Sequence, residues 1–179
     1  MIETLTERTV VIGNSGSGKS TLAQAVANLA HIHIPAFDLD LLHWEEGGYG
    51  LKRDENVARK MVLDISDQPR WIIEGAFGWL AEVALSKATA LIWLDLPWSV
   101  CRAGLLARGL RRGATSHDAA ELMKWAEAYW TRQTSSSFAG HSKMYNDFPG
   151  TRLRLESRAQ AAQLLEDLRA SMTNPGLRL

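Results

Sequence analysis

One stretch of the chain decides its fold: Val10-Val11-Ile12-Gly13-Asn14-Ser15-Gly16-Ser17-Gly18-Lys19-Ser20-Thr21. An apolar run of the kind found in buried strands leads into the pattern Gly-x-x-x-x-Gly-Lys-Ser, and apolar residues at helical spacing follow it. The glycines lack Cβ atoms, so the backbone can turn tightly and its successive N–H groups can point into one concavity. Such a concavity suits phosphate oxygens, and the stretch therefore predicts a phosphate-binding loop between a strand and a helix.

Two side chains of this loop have predicted contacts with a bound nucleoside triphosphate. Lys19 can place its ammonium group on the β- and γ-phosphates, and the hydroxyl of Ser20 can ligate Mg²⁺. Leu22, Val26 and Leu29 lie on one face of the helix that follows, which directs its N-terminal dipole at the anion. ATP and Mg²⁺ are therefore the predicted cofactors, although a loop that contacts phosphates does not distinguish ATP from GTP. The alternative is a Gly- and Ser-rich turn without a ligand.

Composition limits the class of protein. The chain has 179 residues, 46% of them apolar and 22% charged, and we expect a single domain over residues 1–179. Lys and Arg together number 20, as do Asp and Glu. This neutral balance argues against a protein that coats nucleic acid or an acidic membrane, although a local basic patch and hence a nucleic-acid partner stay open. The oligomeric state also stays open.

The expected compartment is the cytoplasm. Cys101 is the only cysteine, which rules out an internal disulfide and is consistent with a reducing environment. The first eight residues carry Glu3 and Glu7 and no apolar run, so no signal peptide is predicted. No apolar run approaches the roughly 18 residues of a membrane span, so no membrane partner is expected.

Strands and helices alternate along the chain, which predicts an α/β doubly wound domain with a five-stranded parallel sheet. Leu153 and Leu155 alternate with arginines, which is typical of a strand near the sheet edge. The predicted strands are near residues 9–12, 32–40, 70–75, 90–95 and 152–155. The predicted helices are near residues 19–30, 53–67, 78–85, 98–112, 118–132 and 157–172, with a linker at 113–116 and a loop at 135–140.

Acidic residues near the strand ends are the candidates for metal and acceptor contacts. Ligands of doubly wound folds bind at the carboxyl ends of the strands, where Asp38, Asp40 and Glu74 fall. The i, i+2 spacing of Asp38 and Asp40 places both on the same side of an extended segment. We assign Asp38 and Glu74 to Mg²⁺, with capping of a neighbouring loop as the alternative for each. Asp40 is assigned to binding or deprotonating an acceptor hydroxyl.

Aromatic and basic residues supply further candidates. His43 and Trp44 follow the paired carboxylates and can line an acceptor pocket, although packing alone would also explain them. Arg108, Arg111 and Arg112 can close over the phosphates, as an arginine does in phosphoryl-transfer enzymes, or can form a solvated helix face.

Several conspicuous residues have structural interpretations. Asp95 ends an apolar strand as a Walker B aspartate does, but a solvated strand cap is the preferred interpretation. Trp71 and Trp93 are predicted to lie in the core, and Trp125 and Trp130 can mark an interface or lid packing. No zinc site is predicted, because ligand spacing is absent among the remaining histidines, His31, His33, His117 and His141.

Taken in order, these motifs resemble those of the small P-loop kinases, the group that includes adenylate, shikimate and gluconate kinases. The chain looks closest to the adenylate-kinase-like "DNA topology modulation" proteins, and the resemblance covers nearly its whole length. The motifs that carry it are residues 12–22, Leu39-Asp40 with Trp44 beyond, Trp71-Ile72-Ile73-Glu74-Gly75, Leu94-Asp95-Leu96-Pro97, the basic helix with Arg108, Arg111 and Arg112, and Leu153-Arg154-Leu155-Glu156-Ser157-Arg158.

The resemblance implies the strand order 2-3-1-4-5, an acceptor site near Asp40 and Gly75, and a mobile lid within residues 98–150. It also implies that the first carboxylate of Asp38-Leu39-Asp40 serves the Mg²⁺ shell and the second the acceptor. Two departures stand out. Glu74 occupies a position where the pattern has Asp, and Gly104 one where a lid arginine is common, which leaves Arg108 as the best match. Ser157-Arg158 can border the adenine, although helix capping by Ser157 is a sufficient explanation.

The leading functional hypothesis is ATP- and Mg²⁺-dependent phosphoryl transfer to a small acceptor of the nucleotide, sugar or polyol-acid type. A second hypothesis is a nucleotide-dependent DNA-acting or regulatory protein, favoured by the arginine cluster and opposed by the neutral charge. A third is an NTPase switch, in which hydrolysis drives an interaction with a partner.

Overall fold

Five parallel strands form the centre of the molecule. The computed structural model of the chain describes residues 2–29, 34–46, 50–110 and 114–173. The strands are β1 (Arg8–Gly13), β2 (Ala36–Asp38), β3 (Trp71–Gly75), β4 (Ala90–Leu94) and β5 (Thr151–Leu155). They are hydrogen-bonded in the order β2-β3-β1-β4-β5, and every pair is parallel. The predicted fold class and strand order are confirmed, and β5 lies at a sheet edge as predicted.

Helices connect the strands and cover both faces of the sheet. They are α1 (Ile2–Leu5), α2 (Lys19–Leu29), α3 (Leu39–His43), α4 (Glu55–Ser66), α5 (Gly78–Leu85), α6 (Trp98–Arg108), α7 (Ser116–Glu127), α8 (Phe138–Asp147) and α9 (Arg158–Thr173). A 3-10 turn, Ala128–Trp130, extends α7. No described helix is both long enough and apolar enough to cross a lipid bilayer.

Alternating residues of the central strand point to opposite faces, and each face has its own core. Val10 and Ile12 pack with Trp71 and Trp93 against α3, α4, α5 and α8. Val11 packs against α2 and α9 on the other side. The strands β3 and β4 are buried on both faces, which explains their continuous apolar runs. Trp71 and Trp93 lie in the core as predicted.

The segment with the paired carboxylates differs from the predicted extended strand. β2 ends at Asp38, and Asp40 lies in the first turn of α3. The cause is local, because Asp38 accepts a hydrogen bond of 2.8 Å from the N–H of Asp40 and thereby caps the helix. The prediction that both carboxylates lie on one side of an extended segment is therefore wrong. The predicted start of this strand, with the end of the preceding helix, falls at residues 30–33, outside the described residues.

A helix replaces half of the predicted loop at 135–140. α8 begins at Phe138 because Ser137 caps it, accepting a hydrogen bond of 3.3 Å from the N–H of Gly140. The run of serines therefore contains a helix start, and the prediction of a loop there is wrong. The predicted linker at 113–116 ends in a similar way, since Thr115 forms a capping box with Asp118 and α7 starts at Ser116.

The basic helix ends earlier than predicted. α6 stops at Arg108, and Gly109 follows with a φ of 68°, a left-handed conformation that glycine adopts without strain. Arg111 and Arg112 lie outside the described residues, so the structure places neither of these candidates. At the start of α9, Ser157 accepts from the N–H of Gln160 as predicted, whereas the Gln160 side chain accepts from the N–H of Glu156.

Candidate active site

A cavity of about 270 Å³ lies over the predicted phosphate-binding loop, at the carboxyl ends of β1 and β3. The cavity gathers most of the site residues that the sequence predicts. Its lining residues are Ser15, Gly16, Gly18, Lys19, Ser20, Thr21, Asp38, Asp40, Glu74, Gly75, Ala76, Gly104, Ala107, Arg108 and Arg158. Of the other predicted loop residues, Asn14 and Ser17 are buried beneath the loop, and Gly13 ends β1.

Helix α6 packs directly on the phosphate-binding loop. A Cβ atom at Gly104 would overlap the carbonyl oxygen of Gly16 and lie 3.1 Å from a guanidinium nitrogen of Arg158. A Cβ atom at Gly16 would likewise overlap the carbonyl oxygen of Cys101. In the P-loop kinases that the sequence resembles, an arginine is common at the position of Gly104. An arginine side chain would fit here only if α6 moved away from the loop. Glycine at 104 is thus explained by this close approach.

Asn14 joins the loop to a distant helix. Its side-chain oxygen accepts from the N–H of Ser15 at 2.8 Å, and its side-chain nitrogen donates to the carbonyl of Ala126 in α7 at 2.8 Å. The ammonium group of Lys19 donates to the backbone carbonyl of Asn14, also at 2.8 Å. Sequence reasoning included Asn14 only as a member of the loop motif. No local sequence pattern indicates its hydrogen bond to Ala126, because the two residues are 112 positions apart.

Three carboxylates converge at this cavity. Glu74 is 5% exposed, and its burial raises the pKa of its carboxyl to about 7, with Asp38 and Asp40 adding to the rise. The charge of Lys19 and a hydrogen bond from the Ser20 hydroxyl oppose it. Crowded carboxylates of this kind are stabilised when a cation joins them.

The donor set suits Mg²⁺. The Ser20 hydroxyl and the carboxylates of Glu74 and Asp38 are hard oxygen donors, which this ion prefers. Within the described part of the chain, no cluster of three or more His, Cys, Asp or Glu residues is arranged to hold a metal ion. Mg²⁺ characteristically takes one or two protein carboxylates and completes its shell with phosphate oxygens and water. Asp38 also caps α3, so the capping interpretation applies to it, and its assignment to Mg²⁺ stays a prediction.

A second cavity of about 360 Å³ adjoins the first. The two share Ser15, Asp40 and Ala76, so Asp40 lies at the boundary between them. The remaining lining residues of the second cavity are His43, Trp44, Gly50, Lys52, Phe77, Asp118, Glu121, Leu122 and Trp125. His43 and Trp44 therefore line it as the sequence predicts. Gly75 belongs to the first cavity instead, and a Cβ atom there would lie 2.6 Å from that of Leu39.

His43 forms part of an aromatic wall. Its ring centroid lies 4.1 Å from that of Phe77 and 4.5 Å from that of Trp44. Burial lowers the pKa of its imidazole, the charge of Lys52 lowers it further, and Asp40 and Glu55 oppose the change. The imidazole is therefore neutral near pH 7, and both the packing and the pocket-lining interpretations describe it.

Helix α7 supplies the wall that sequence reasoning missed. Asp118, Glu121, Leu122 and Trp125 follow the i, i+3, i+4, i+7 spacing that places residues on one helix face. That periodicity was present in the sequence, but no local feature indicates that the face lines a cavity. Trp125 lines the second cavity beside Phe77, with ring centroids 6.0 Å apart, and its predicted part in an interface or lid packing stays a prediction.

Asp95 lines neither cavity. Its carboxylate receives two hydrogen bonds from the Arg154 guanidinium, at 2.6 and 3.0 Å, and its side chain is only 10% exposed. The interpretation as a strand cap holds, and the cap is an ion pair with the edge strand β5 in which Asp95 is mostly covered while Arg154 stays exposed to solvent. This pairing explains why Arg154 alternates with leucines in a strand.

A buried hydrogen-bond chain joins the sheet to the helices after it. The indole N–H of Trp93 donates to the hydroxyl of Tyr129 at 3.2 Å, and that hydroxyl lies 2.7 Å from Nδ1 of His141. Burial lowers the pKa of the His141 imidazole to about 3, so the ring is neutral. Sequence reasoning considered His141 only as a possible zinc ligand and did not find this role.

Comparison with known proteins finds similar folds but no match in sequence. No protein-family model matches the chain, and no curated protein matches it in sequence. A sugar kinase from Janibacter sp. HTCC2649, in an unliganded structure, is 18% identical, with 93% of each chain covered and a TM-score of 0.53. A shikimate kinase from Acinetobacter baumannii, in complex with shikimate, is 13% identical, with 98% of this chain and 97% of that chain covered and a TM-score of 0.52.

These likenesses concern the fold. The chain has the five-stranded, helix-covered arrangement of the P-loop kinases, and this part of the sequence resemblance is confirmed. The finer resemblance to the "DNA topology modulation" proteins stays a prediction.

Proposed function

We propose that this protein is a kinase that transfers the γ-phosphoryl group of Mg-ATP to a hydroxyl of a small molecule held in the second cavity. One observation carries the proposal: the phosphate-loop cavity and the second cavity are contiguous and share Asp40 at their boundary. A plain NTPase needs only the first cavity. A second cavity of about 360 Å³ falls in the range of small-molecule sites and gives the transfer reaction an acceptor site.

The acceptor hydroxyl oxygen attacks the γ-phosphorus, and the bond from that phosphorus to the β–γ bridging oxygen breaks, so that ADP leaves with the electron pair. Asp40 accepts the hydroxyl proton, since it is the acid that lines both cavities. Positioning and charge neutralisation contribute most of the rate in such reactions.

Cations around the first cavity would neutralise the charge on the phosphates. Lys19 is 7% exposed and lines the cavity together with Arg108 and Arg158. Mg²⁺, held by Ser20, Glu74 and Asp38 together with phosphate oxygens, would add further positive charge. We assign lid movement to the segment 98–150 and retain Arg112 as a candidate phosphate contact. A cytoplasmic setting belongs to the proposal, and a single free cysteine is consistent with it.

The test follows ATP consumption and product phosphorylation over a panel of nucleotides, sugars, polyol acids and aromatic alcohols. With a positive acceptor, Asp40→Asn should lower kcat by about 100-fold or more while Mg-ATP affinity stays nearly unchanged. Asp64→Asn is the matched control, because Asp64 is exposed on α4 and forms an ion pair with Lys60 in the same helix. Lys19→Ala should abolish binding or turnover of ATP. Saturable Mg-ATP binding with acceptor-independent hydrolysis alone would contradict the proposal.

A further inference from the structure

The walls of the second cavity are rich in aromatic rings. Trp44, Phe77 and Trp125 line it, and each is partly buried, as expected for rings that still present surface to a cavity. His43 adds a neutral ring against Phe77. Flat apolar surfaces of this kind bind flat or ring-shaped molecules through area burial and stacking. An acceptor with a ring therefore fits these walls better than an open chain.

The charged residues of this cavity are unbalanced. Asp40, Asp118 and Glu121 contribute three carboxylates, whereas Lys52 is the one cation among its described lining residues. Arg132 lies nearby, with its guanidinium carbon 3.9 Å from the ring centroid of Trp125, but it does not line the cavity. An anionic acceptor would meet net repulsion here, and an amine would meet attraction.

The two carboxylates that α7 contributes to the cavity are oriented by contacts within the helix and its N-terminal cap. Asp118 accepts from the Thr115 backbone and hydroxyl at 2.7 Å, and Glu121 receives Lys124 at 2.8 Å. The Glu121–Lys124 pair is solvent-exposed, so it is weak and an amine can compete with it. Because these residues and Asp40 line different parts of the wall, one molecule can present an amine to α7 and a hydroxyl to Asp40.

We propose that the acceptor is a ring compound with a free hydroxyl that is neutral or carries an amine, and not one that carries a carboxylate or phosphate. The inference rests on the proposed function, in which that hydroxyl oxygen takes the γ-phosphoryl group, ADP leaves and Asp40 takes the proton. It goes beyond the proposed function by excluding acceptors such as nucleotides and polyol acids, which the sequence left open.

Charge-matched probe pairs test the inference. The pairs are 3-hydroxybenzylamine with 3-hydroxybenzoate, and glucosamine with glucuronate, each offered to the whole protein. Ligand-observed NMR measures binding in the presence of Mg²⁺ and the non-hydrolysable β,γ-imido analogue of ATP. Incorporation of label from γ-labelled ATP measures transfer. We expect the amine of at least one pair to bind about tenfold or more tightly than its carboxylate partner.

Substitutions of Glu121 test whether the amine probes bind in this cavity. Glu121→Gln should weaken amine binding severalfold, and Glu121→Lys should reverse the preference within the pair. Glu127→Gln, on the same helix but outside the cavity, is the control and should change neither affinity. Since Glu121 is exposed, these changes leave the fold intact.

The outcomes separate the two proposals. Equal or tighter binding of the carboxylates, binding of no probe, or a preference that Glu121→Lys leaves unchanged would overturn the inference. Transfer of label to the carboxylate probes would also overturn the inference, but it would support the kinase function. Binding of the amines without transfer of label would support the charge preference of the cavity and overturn the kinase function.

Discussion

The contact between α6 and the phosphate-binding loop makes Gly104→Ala an informative substitution. In a helix interior, alanine is favoured over glycine by about 1 kcal/mol, so helix propensity alone predicts stabilisation. The new Cβ atom would overlap the Gly16 carbonyl oxygen and lie 3.1 Å from the carbonyl carbon. Backbone cannot rotate away as a flexible side chain can, and forced overpacking costs about 1–3 kcal/mol. We therefore expect a net loss of up to about 2 kcal/mol.

Urea unfolding and Mg-ATP titration measure the two consequences. A loss of up to about 2 kcal/mol would also appear in thermal unfolding as a decrease in Tm of up to about 8 °C for a chain of this size. Displacement of Gly16 should also weaken Mg-ATP binding by about tenfold, or about 1.4 kcal/mol.

The control is Ala103→Gly on the exposed side of α6. It should cost about 1 kcal/mol of stability through propensity and leave nucleotide affinity unchanged. If Gly104→Ala instead stabilises the protein by about 1 kcal/mol, α6 does not press on the loop as described.

Three further results are expected. Burial raises the pKa of Glu74 from its ordinary value of 4.5 to about 7, so the folded protein retains a proton that the unfolded chain releases. Stability should therefore fall as pH rises from about 4.5 to 7 and then level off, by up to about 3 kcal/mol, and Glu74→Gln should flatten this slope in denaturation curves. Tyr129→Phe removes the hydroxyl between Trp93 and His141 and should cost about 1–3 kcal/mol in urea unfolding; a change no larger than that of Tyr145→Phe would argue against the chain. Asp95→Asn should lower stability by about 1 kcal/mol and leave the KM for Mg-ATP unchanged, whereas a large rise in KM would restore the Walker B interpretation.

The phosphate-binding loop and the sheet were predictable because their signals are local. The glycines, Lys19 and Ser20 specify the loop by type and spacing, and the apolar runs of β3 and β4 specify strands covered on both faces. The strand order came from family resemblance and not from the pattern itself. The helix start at Asp38 and the one at Ser137 also had local signals, because Asp and Ser are favoured N-caps.

The second cavity could not be predicted from local signals. Its walls come from α3, from the turn after β3 and from α7, which are separated by tens of residues. Asp118, Glu121 and Trp125 lie on one helix face, but every helix face repeats with the same period, so the spacing alone does not indicate a cavity. The ion pair between Asp95 and Arg154 and the Asn14–Ala126 hydrogen bond likewise depend on contacts that only the folded chain creates.

Asn14 illustrates how such a contact affects the interpretation of mutants. One carboxamide orients the Ser15 amide in the loop and anchors the end of the helix that carries Trp125. Replacing Asn14 would disturb both the loop and the helix. Weaker binding of the triphosphate and weaker binding of the second reactant would therefore appear in the same variant. The kinetic defects of an Asn14 variant would therefore resemble cooperativity between two ligands, although they would arise from the loss of one side chain.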